Sequence, residues 1–597
     1  MAKLEGQTIA ASYDQLLHVD TEGGGNSTTH VSVKDGDNDT TFGFTIASDA
    51  LMMSSTNRLE FGDTGTYINQ SGDGILNITS DTEVEINATA VDLNGTLDVS
   101  GTLTQGGASQ FNSTITVGVN DTGYDVKLFG ATSGAYALWD ESADNLILAG
   151  GAGIYEAGGV LKENLLTNSG FDVWSNSTLE NVGSDLVTNG AFTGNATGWT
   201  LESGWAYDSN NVTVTNGAIN NLCARSITTV VGKLYKVSVG CTAYTDGSVG
   251  ALSNATSVRG NELTGTGTST LVFEATSTST TVGAITLTAG SDYTVDNITC
   301  YEVTPGCVAA DELAFDGWVK NISVDIFQQH NDGGTLTHDG SFYALKTVTA
   351  AVEQYTYWSD RYDKADFTQR FTGRTITIGC WAKTSTASHV RLRIYDDGDG
   401  ARYSSYHTGG GAWEWLEYTA TINAAATVVS PYTIYYDVSG ATAYISQPML
   451  VFGSSIGEGN YTRPQGEIVW FENHNVTSNK FNDKTGANGF SDVAVTSYNL
   501  EADSNGVIPK GAKAIMPYVV CRDSASASTN YSRIAFGVDS VYASQAVSCG
   551  GLANDIYTIQ QTWADCKSDG DIYYHIQASG SNTFDIESFK YLAVQLR

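Results

Sequence analysis

At 597 residues the chain is several average domains long, which excludes one continuous core and points to roughly three to five modules. Its 65 Gly, 6 Pro and 16% charged residues, set among Thr, Ser, Asn, Val and Ala, make up a composition of strands and tight turns, not of helices. With 29 Lys and Arg against 65 Asp and Glu, the net charge of -36 opposes broad contact with nucleic acid or anionic lipid, so neither is expected as a partner.

The opening Met1-Ala2-Lys3-Leu4-Glu5-Gly6-Gln7 has no apolar core, and no stretch approaches the ~20 apolar residues of a membrane helix, so neither a signal peptide nor membrane insertion is expected. Residues 1–58 read as an N-terminal module: a capped-looking segment from Ala11 to Leu17, a flexible Gly23-Gly24-Gly25-Asn26, then His30-Val31-Ser32-Val33. Asp35, Asp37 and Asp39 imitate the start of a calcium loop. Thr40 replaces the turn glycine, however, and Ile46 stands where the closing Glu is needed, so a polar hairpin is expected.

Over 59–122 the pattern becomes very short alternating runs, such as Val84-Glu85-Ile86, Val91-Asp92-Leu93 and Leu97-Asp98-Val99, broken by Gly and Asn-Gly turns. A monomer cannot bury enough surface with so few inward residues per strand to offset the ordering entropy. Three identical chains wound about one axis would share a core and cap each other's edges, so a trimeric β-shaft is expected.

Residues 123–160 read as a small β-module. The run Gly123-Tyr124-Asp125-Val126-Lys127-Leu128-Phe129-Gly130, continuing through Ala137-Leu138-Trp139-Asp140, resembles a short module of bacteriophage tail-fibre and related virion proteins.

Two openings follow, Asn164-Leu165-Leu166-Thr167-Asn168-Ser169-Gly170-Phe171 and Asp185-Leu186-Val187-Thr188-Asn189-Gly190-Ala191-Phe192. Both resemble the first strand of carbohydrate-binding-type jelly rolls. The second finds a closing strand at Tyr293–Glu302, and the first only at Tyr444–Leu450 with Tyr461-Thr462-Arg463-Pro464 behind it. The simplest arrangement nests one jelly roll, 184–304, in a loop of another, 161–183 plus 305–465; two jelly rolls in tandem are the alternative. Within the outer module, Thr375–Lys383 and Val390–Tyr395 alternate with period two, as one wall of a sandwich requires. Residues 466–597 are rich in short strands and end on Phe589–Leu596; this last region, with Val520–Ala527, resembles a phage fibre tip.

Catalytic signals are weak. Gly453-Ser454-Ser455-Ile456-Gly457 spells a nucleophile elbow, but no helix follows it and no partner His is organised near it. No metalloprotease, P-loop or dinucleotide motif occurs, and no enzyme is expected. Cys223, Cys241, Cys300, Cys307, Cys380, Cys521, Cys549 and Cys566 lack any C-x-x-C and read as buried thiols, with a Cys300–Cys307 disulfide as the alternative.

Sugar recognition uses aromatic rings against apolar pyranose faces. The candidates are Trp199, Trp205 and Tyr207 in the inserted module, Tyr355, Tyr357, Trp358, Trp413 and Trp415 in the outer one, and Trp563 in the tip. Tyr355 shares a strand face with Tyr357, and Trp413 with Trp415. The jelly-roll resemblance also implies a structural calcium ion, for which the acidic turn Asp396, Asp397 and Asp399 offers ligands; no other cofactor is expected.

The expected molecule is therefore an all-β, elongated homotrimeric fibre with an N-terminal attachment domain, short-stranded β-shaft, jelly-roll modules and a C-terminal β-sandwich tip. The resemblance implies a phage virion protein assembled in the host cytoplasm. It would grip other tail or baseplate proteins by its N-terminus and host-surface polysaccharide by its distal modules. An architectural head fibre or decoration protein and a glycan-degrading tailspike are the rival readings.

Overall fold

The computed structural model describes residues 16–21, 27–54, 57–150, 163–256, 259–331, 334–359, 366–453, 455–464, 466–524, 532–540, 545–548, 556–578 and 583–596. It divides into two compact units, Met1–Thr116 and Val117–Arg597. The regular elements of the described residues are almost all β-strands, with only short helical turns such as Phe367–Phe371 and Leu500–Asp503.

In the first unit, strands His18–Val19, Val31–Lys34, Thr41–Ile46 and Leu51–Met53 form an antiparallel meander, and Arg58–Glu60, Tyr67–Gly72 and Ile75–Thr79 a second small sheet. The acidic turn is the polar hairpin expected: Asp35 Oδ1 accepts from the Thr40 N–H at 2.9 Å and Asp37 Oδ1 from the Asp39 N–H at 3.2 Å. The expected segment at 11–15 and the glycines at 23–25 lie outside the described residues.

Beyond Thr79 this unit has no further strand. Its alternating apolar side chains nevertheless persist and stand in solvent, with Leu97 61% and Leu103 69% exposed. Val91-Asp92-Leu93-Asn94-Gly95-Thr96 is repeated six residues on as Leu97-Asp98-Val99-Ser100-Gly101-Thr102, a period that simple alternation does not reveal.

The second unit begins with a three-stranded sheet of Val126–Phe129, Tyr136–Asp140 and Asn145–Ala149. Three sandwiches follow, each with its own core. Residues of 164–174 pack into the core built by 314–450: Phe171 meets Phe315 edge-on at 5.3 Å, and Asn164 Nδ2 donates to Pro448 O and Thr462 O. Residues 187–300 enclose a separate core around Phe192, Tyr235, Phe273 and Tyr293. Both openings use the same local device. Asn168 (φ 53°) and Phe171 (φ 58°) in one, and Asn189 (φ 56°) and Phe192 (φ 47°) in the other, adopt left-handed conformations that tuck a fully buried Phe under the sandwich. Gly190 is required there, since a Cβ would fall 1.9 Å from the Ile298 carbonyl oxygen.

The inserted sandwich is tied in by backbone. Strand Ser291–Cys307 pairs within it to Leu234–Asp246 and Asn211–Gly217, then continues to pair with Thr178–Val182 and Val324–His330. The outer sandwich sets Val324–His330, Tyr343–Thr349, Thr442–Phe452, Thr375–Lys383 and Trp413–Thr421 against Trp318–Lys320, Gln354–Trp358, Val429–Tyr436, Val390–Asp396 and Gly400–Tyr403. In the third sandwich, Thr583–Gln595 is an interior strand, paired on one side with Ile468–Trp470 and on the other with Ala514–Ser524.

All described cysteines are free and buried, so Cys300 and Cys307 are not bridged; Cys549 lies outside the described residues. Both thiols face packed interiors, and burial raises each above its ordinary value, Cys300 to about 12.

Candidate functional site

The aromatic candidates separate by burial. Trp199 packs on Phe192 at 5.0 Å and donates from Nε1 to Asn189 O, Trp205 meets Tyr293 edge-on, and Trp358 donates from Nε1 to Thr167 Oγ1. All three are buried in sandwich cores, so their ring faces are closed to a sugar. Large apolar rings fill interiors first, which is why these Trp residues leave the candidate set. Tyr207, on the same strand as Trp205, is exposed, its hydroxyl accepting from the Asn210 N–H. Trp563 is half-buried in the third sandwich.

Trp413 and Trp415 share a face of the outer sandwich with Trp381. His338 stacks on Trp381 at 4.0 Å and meets Trp413 edge-on, while Trp415 packs on Trp381 and donates to Glu417 Oε2. Glu417 also accepts from the N–H groups of Ile456 and Gly457, which holds the 455–457 turn against this face. The part of the nucleophile-elbow motif over 455–457, which includes its nucleophile position Ser455, is thus a turn against a tryptophan; the variable Ser454 lies outside the described residues.

Tyr355 and Tyr357 belong to a different arrangement. On the sheet Gln354–Trp358, Val429–Tyr436, Val390–Asp396 and Gly400–Tyr403, alternate residues enter the core: Val390, Leu392, Ile394, Ile434 and Trp358. The intervening positions face away from it, and the register sets them in two rows. One row runs Tyr355, Tyr435, Arg391 and the other Tyr357, Thr433, Arg393, Tyr403.

The guanidiniums interleave with the rings. Arg391 lies 3.8 Å from the centroid of Tyr403, 4.3 Å from Tyr406 and 5.1 Å from Tyr435, and Arg393 lies 4.5 Å from Tyr355. Asp437 accepts from the Tyr406 hydroxyl and stands 3.5 Å from Arg391. Burial and the bond to Asp437 push the Tyr406 hydroxyl up to about 12, keeping it a donor at neutral pH. Flat rings and guanidiniums with donors at their edges suit the apolar faces and hydroxyls of sugars, and the cations suit acidic groups.

Sequence reading found Tyr355 and Tyr357 but missed Arg391, Arg393, Tyr403, Tyr406 and Tyr435. A signal for the two arginines was present: in Val390-Arg391-Leu392-Arg393-Ile394 they alternate with core residues and must share the opposite face.

The acidic turn is engaged by protein. Asp396 is buried and accepts from the N–H groups of Gly398 and Asp399 and from Arg402; Asp399 meets Arg402 and Asn423; Asp397 caps Thr427 and Val428. Among the described residues no group of three or more His, Cys, Asp or Glu side chains is placed to hold a metal ion. The calcium expectation at Asp396, Asp397 and Asp399 therefore has no assembled ligand set, because Arg402, Asn423 and backbone amides engage these carboxylates instead.

No family model and no curated protein matches the chain. Among solved structures, it is similar to the N-terminal tandem of two family 22 carbohydrate-binding modules of Xyn10C from Paenibacillus barcinonensis, at 14% identity over 46% of this chain and 99% of that one, TM-score 0.23. The C-terminal family 22 module of Clostridium thermocellum Xyn10B matches at 15% identity over 24% of this chain and 89% of that one, TM-score 0.19. A chain of Sulfolobus Turreted Icosahedral Virus matches at 10% identity over 74% and 98% respectively, TM-score 0.12. These scores are too low to bear on function.

Proposed function

We propose that the chain is a non-enzymatic, glycan-binding fibre subunit of a bacteriophage particle, working as a homotrimer held to the virion by its N-terminal module. The observation that carries this reading is the run of exposed apolar side chains over Val84–Ile115, which belongs to no strand of the isolated chain. An extended segment of this kind gains a core when identical copies pack their apolar positions together, and the six-residue repeat supplies matching positions on each copy. Host recognition falls to the Tyr–Arg face of the outer sandwich, whose chemistry suits sugar rings, and three linked copies would multiply a weak contact into avid binding.

The test combines two measurements on the full chain: its mass in solution by sedimentation, and its binding to bacterial cells and extracted surface polysaccharides with competition against phage adsorption. A trimer that binds saturably and blocks adsorption is expected. A trimer that binds no glycan and blocks nothing would instead support the architectural reading, and a monomer would remove the fibre assignment.

A further inference from the structure

The sheet of the inserted sandwich formed by Thr200–Leu201, Leu222–Thr228, Ser279–Thr286 and Val249–Ser253 has two unlike faces. Cys223, Val249, Ala251, Val282 and Ala284 enter the sandwich core. The alternating positions Leu222, Ala224, Leu252 and Ile285 make a separate small apolar cluster on the other face. In register, Leu222 pairs with Ile285 and Ile285 with Gly250, while Ala224 pairs with Gly283 and Gly283 with Leu252. Gly283 leaves no side chain between Ala224 and Leu252, while Gly250 ends the Leu222–Ile285 row on the edge strand with the Leu287 side chain close by.

A groove of about 740 Å³ lies over that face, floored by Leu222, Leu252 and Ile285 and walled by Asn220, Asn254 and Arg259. Residues 259–263 lie back along Val249–Ser253, through Gly260 N–H to Ala251 O at 2.9 Å and a reciprocal pair of bonds between Leu263 and Val249. Gly260 is needed for this closeness, since a Cβ there would lie 2.7 Å from Thr270 O and 2.8 Å from the Ala251 Cβ.

That closure sets Arg259 on the groove. Its Nη1 donates to Thr256 O at 3.1 Å, and among the described residues it has no carboxylate partner. None of the described lining residues is acidic, in a chain with 65 acidic residues. Glu202, the carboxylate that reaches strand Leu222–Thr228, accepts from the Leu222 N–H at 2.8 Å. Asn254 Oδ1 accepts from the Thr281 N–H, so its position is fixed while its amino group retains donors. Partial burial makes the Arg259 charge costly, so an anionic ligand in the groove would gain from pairing with it.

We propose that this groove is a second ligand site, separate from the Tyr–Arg face, that takes an acidic oligosaccharide and reads its carboxylate with Arg259. The aliphatic floor accepts the apolar face of a sugar, Asn220 and Asn254 meet hydroxyls, and the planar guanidinium matches a carboxylate through paired hydrogen bonds. The proposal rests on the reading of the chain as a glycan binder and adds the ligand's charge and the residue that selects it.

The experiment is calorimetric titration of the full chain with trigalacturonic acid, with its methyl ester, with a neutral galactose trimer and with a sialylated trisaccharide. At least one acid is expected to bind, with the ester and the neutral sugar at least 10-fold weaker and with affinity falling as salt rises. Arg259→Gln should reduce acid binding to the level of the ester, and Arg259→Lys should restore part of it. Equal binding of acid and ester by the unaltered chain would overturn the proposal, as would unchanged acid binding in a folded Arg259→Gln variant. If neutral sugars bind and acids gain nothing, the proposal falls while the glycan-binding reading stands; if no sugar binds, both fall.

Discussion

The hydroxyl of Tyr343 in the outer sandwich donates to the carboxyl of Glu501 in the third sandwich across 3.1 Å, while accepting from the Lys510 N–H. Glu501 belongs to the short helix Leu500–Asp503, whose Ala502 packs with Leu234 and Val303 of the inserted module. Lys510 pairs with Glu274 of that module, so all three sandwiches meet around one buried polar cluster. Burial lifts Glu501 to about 8 and lowers His330, 3.8 Å away, to about 4, so both are neutral near pH 7.

This cluster predicts a stability that falls as pH rises through neutrality. The folded-state value of Glu501 lies above its ordinary 4.5, so the folded chain holds a proton that the unfolded chain releases. Its contribution is complete below that ordinary value and lost as pH rises to about 8, at up to ~1.4 kcal/mol per pH unit. His330, depressed to about 4, acts oppositely, favouring the fold as pH rises from there through its ordinary 6.5. Thermal melts of the native chain and Glu501→Gln between pH 6.5 and 8 isolate the carboxyl. The native melting temperature should drop more steeply; parallel slopes would show that Glu501 does not hold the proton.

The buried tryptophans should behave as packing residues. Trp358→Ala is expected to cost ~3–5 kcal/mol of stability, measured by denaturant unfolding of the second unit's transition. Glycan binding lost without loss of stability would return Trp358 to the recognition surface.

On the Tyr–Arg face the opposite balance is expected. Tyr355→Ala removes a half-buried ring and one cation–π contact with Arg393, costing ~0.5–1 kcal/mol of stability. Binding to polysaccharide should fall about 10-fold, roughly the 1.4 kcal/mol of one good contact. Binding unchanged in Tyr355→Ala and Arg391→Ala together would move recognition elsewhere.

Replacing Leu97 and Leu103 by Asp should dissociate the proposed trimer. Each apolar side chain is worth ~1.5–3 kcal/mol when buried, and every substitution is repeated in each copy. Sedimentation should show the variant as a monomer, with the three sandwiches still melting cooperatively. A variant that remains a trimer would place the subunit contacts outside this segment.

The all-β class was legible in the residues, because Thr, Val and Gly with period-two alternation leave few other folds open. The two openings were recognised only through their resemblance to a jelly-roll first strand; in the structure both are turns that bury Phe171 and Phe192 rather than strands. Site prediction from aromatic content was less successful: Trp199, Trp205 and Trp358 look in sequence like Tyr355 but lie inside. A ring's chemistry is the same on either side of a sheet, and only its phase relative to the core separates the two roles.

By itself, then, the sequence determined what is local: strand periodicity, tight turns, the six-residue repeat, and the absence of familiar catalytic motifs. Tertiary structure alone decided which alternate face of each strand met a core. It brought Arg391, Tyr403 and Tyr435 together from three strands, opened the groove beside Arg259, and buried Glu501 against Tyr343. The reason is that strand pairing joins residues far apart in the chain through backbone bonds that every residue type offers alike. Register, and with it every cross-strand neighbour, is therefore selected by the packing of the whole sandwich rather than by any short segment.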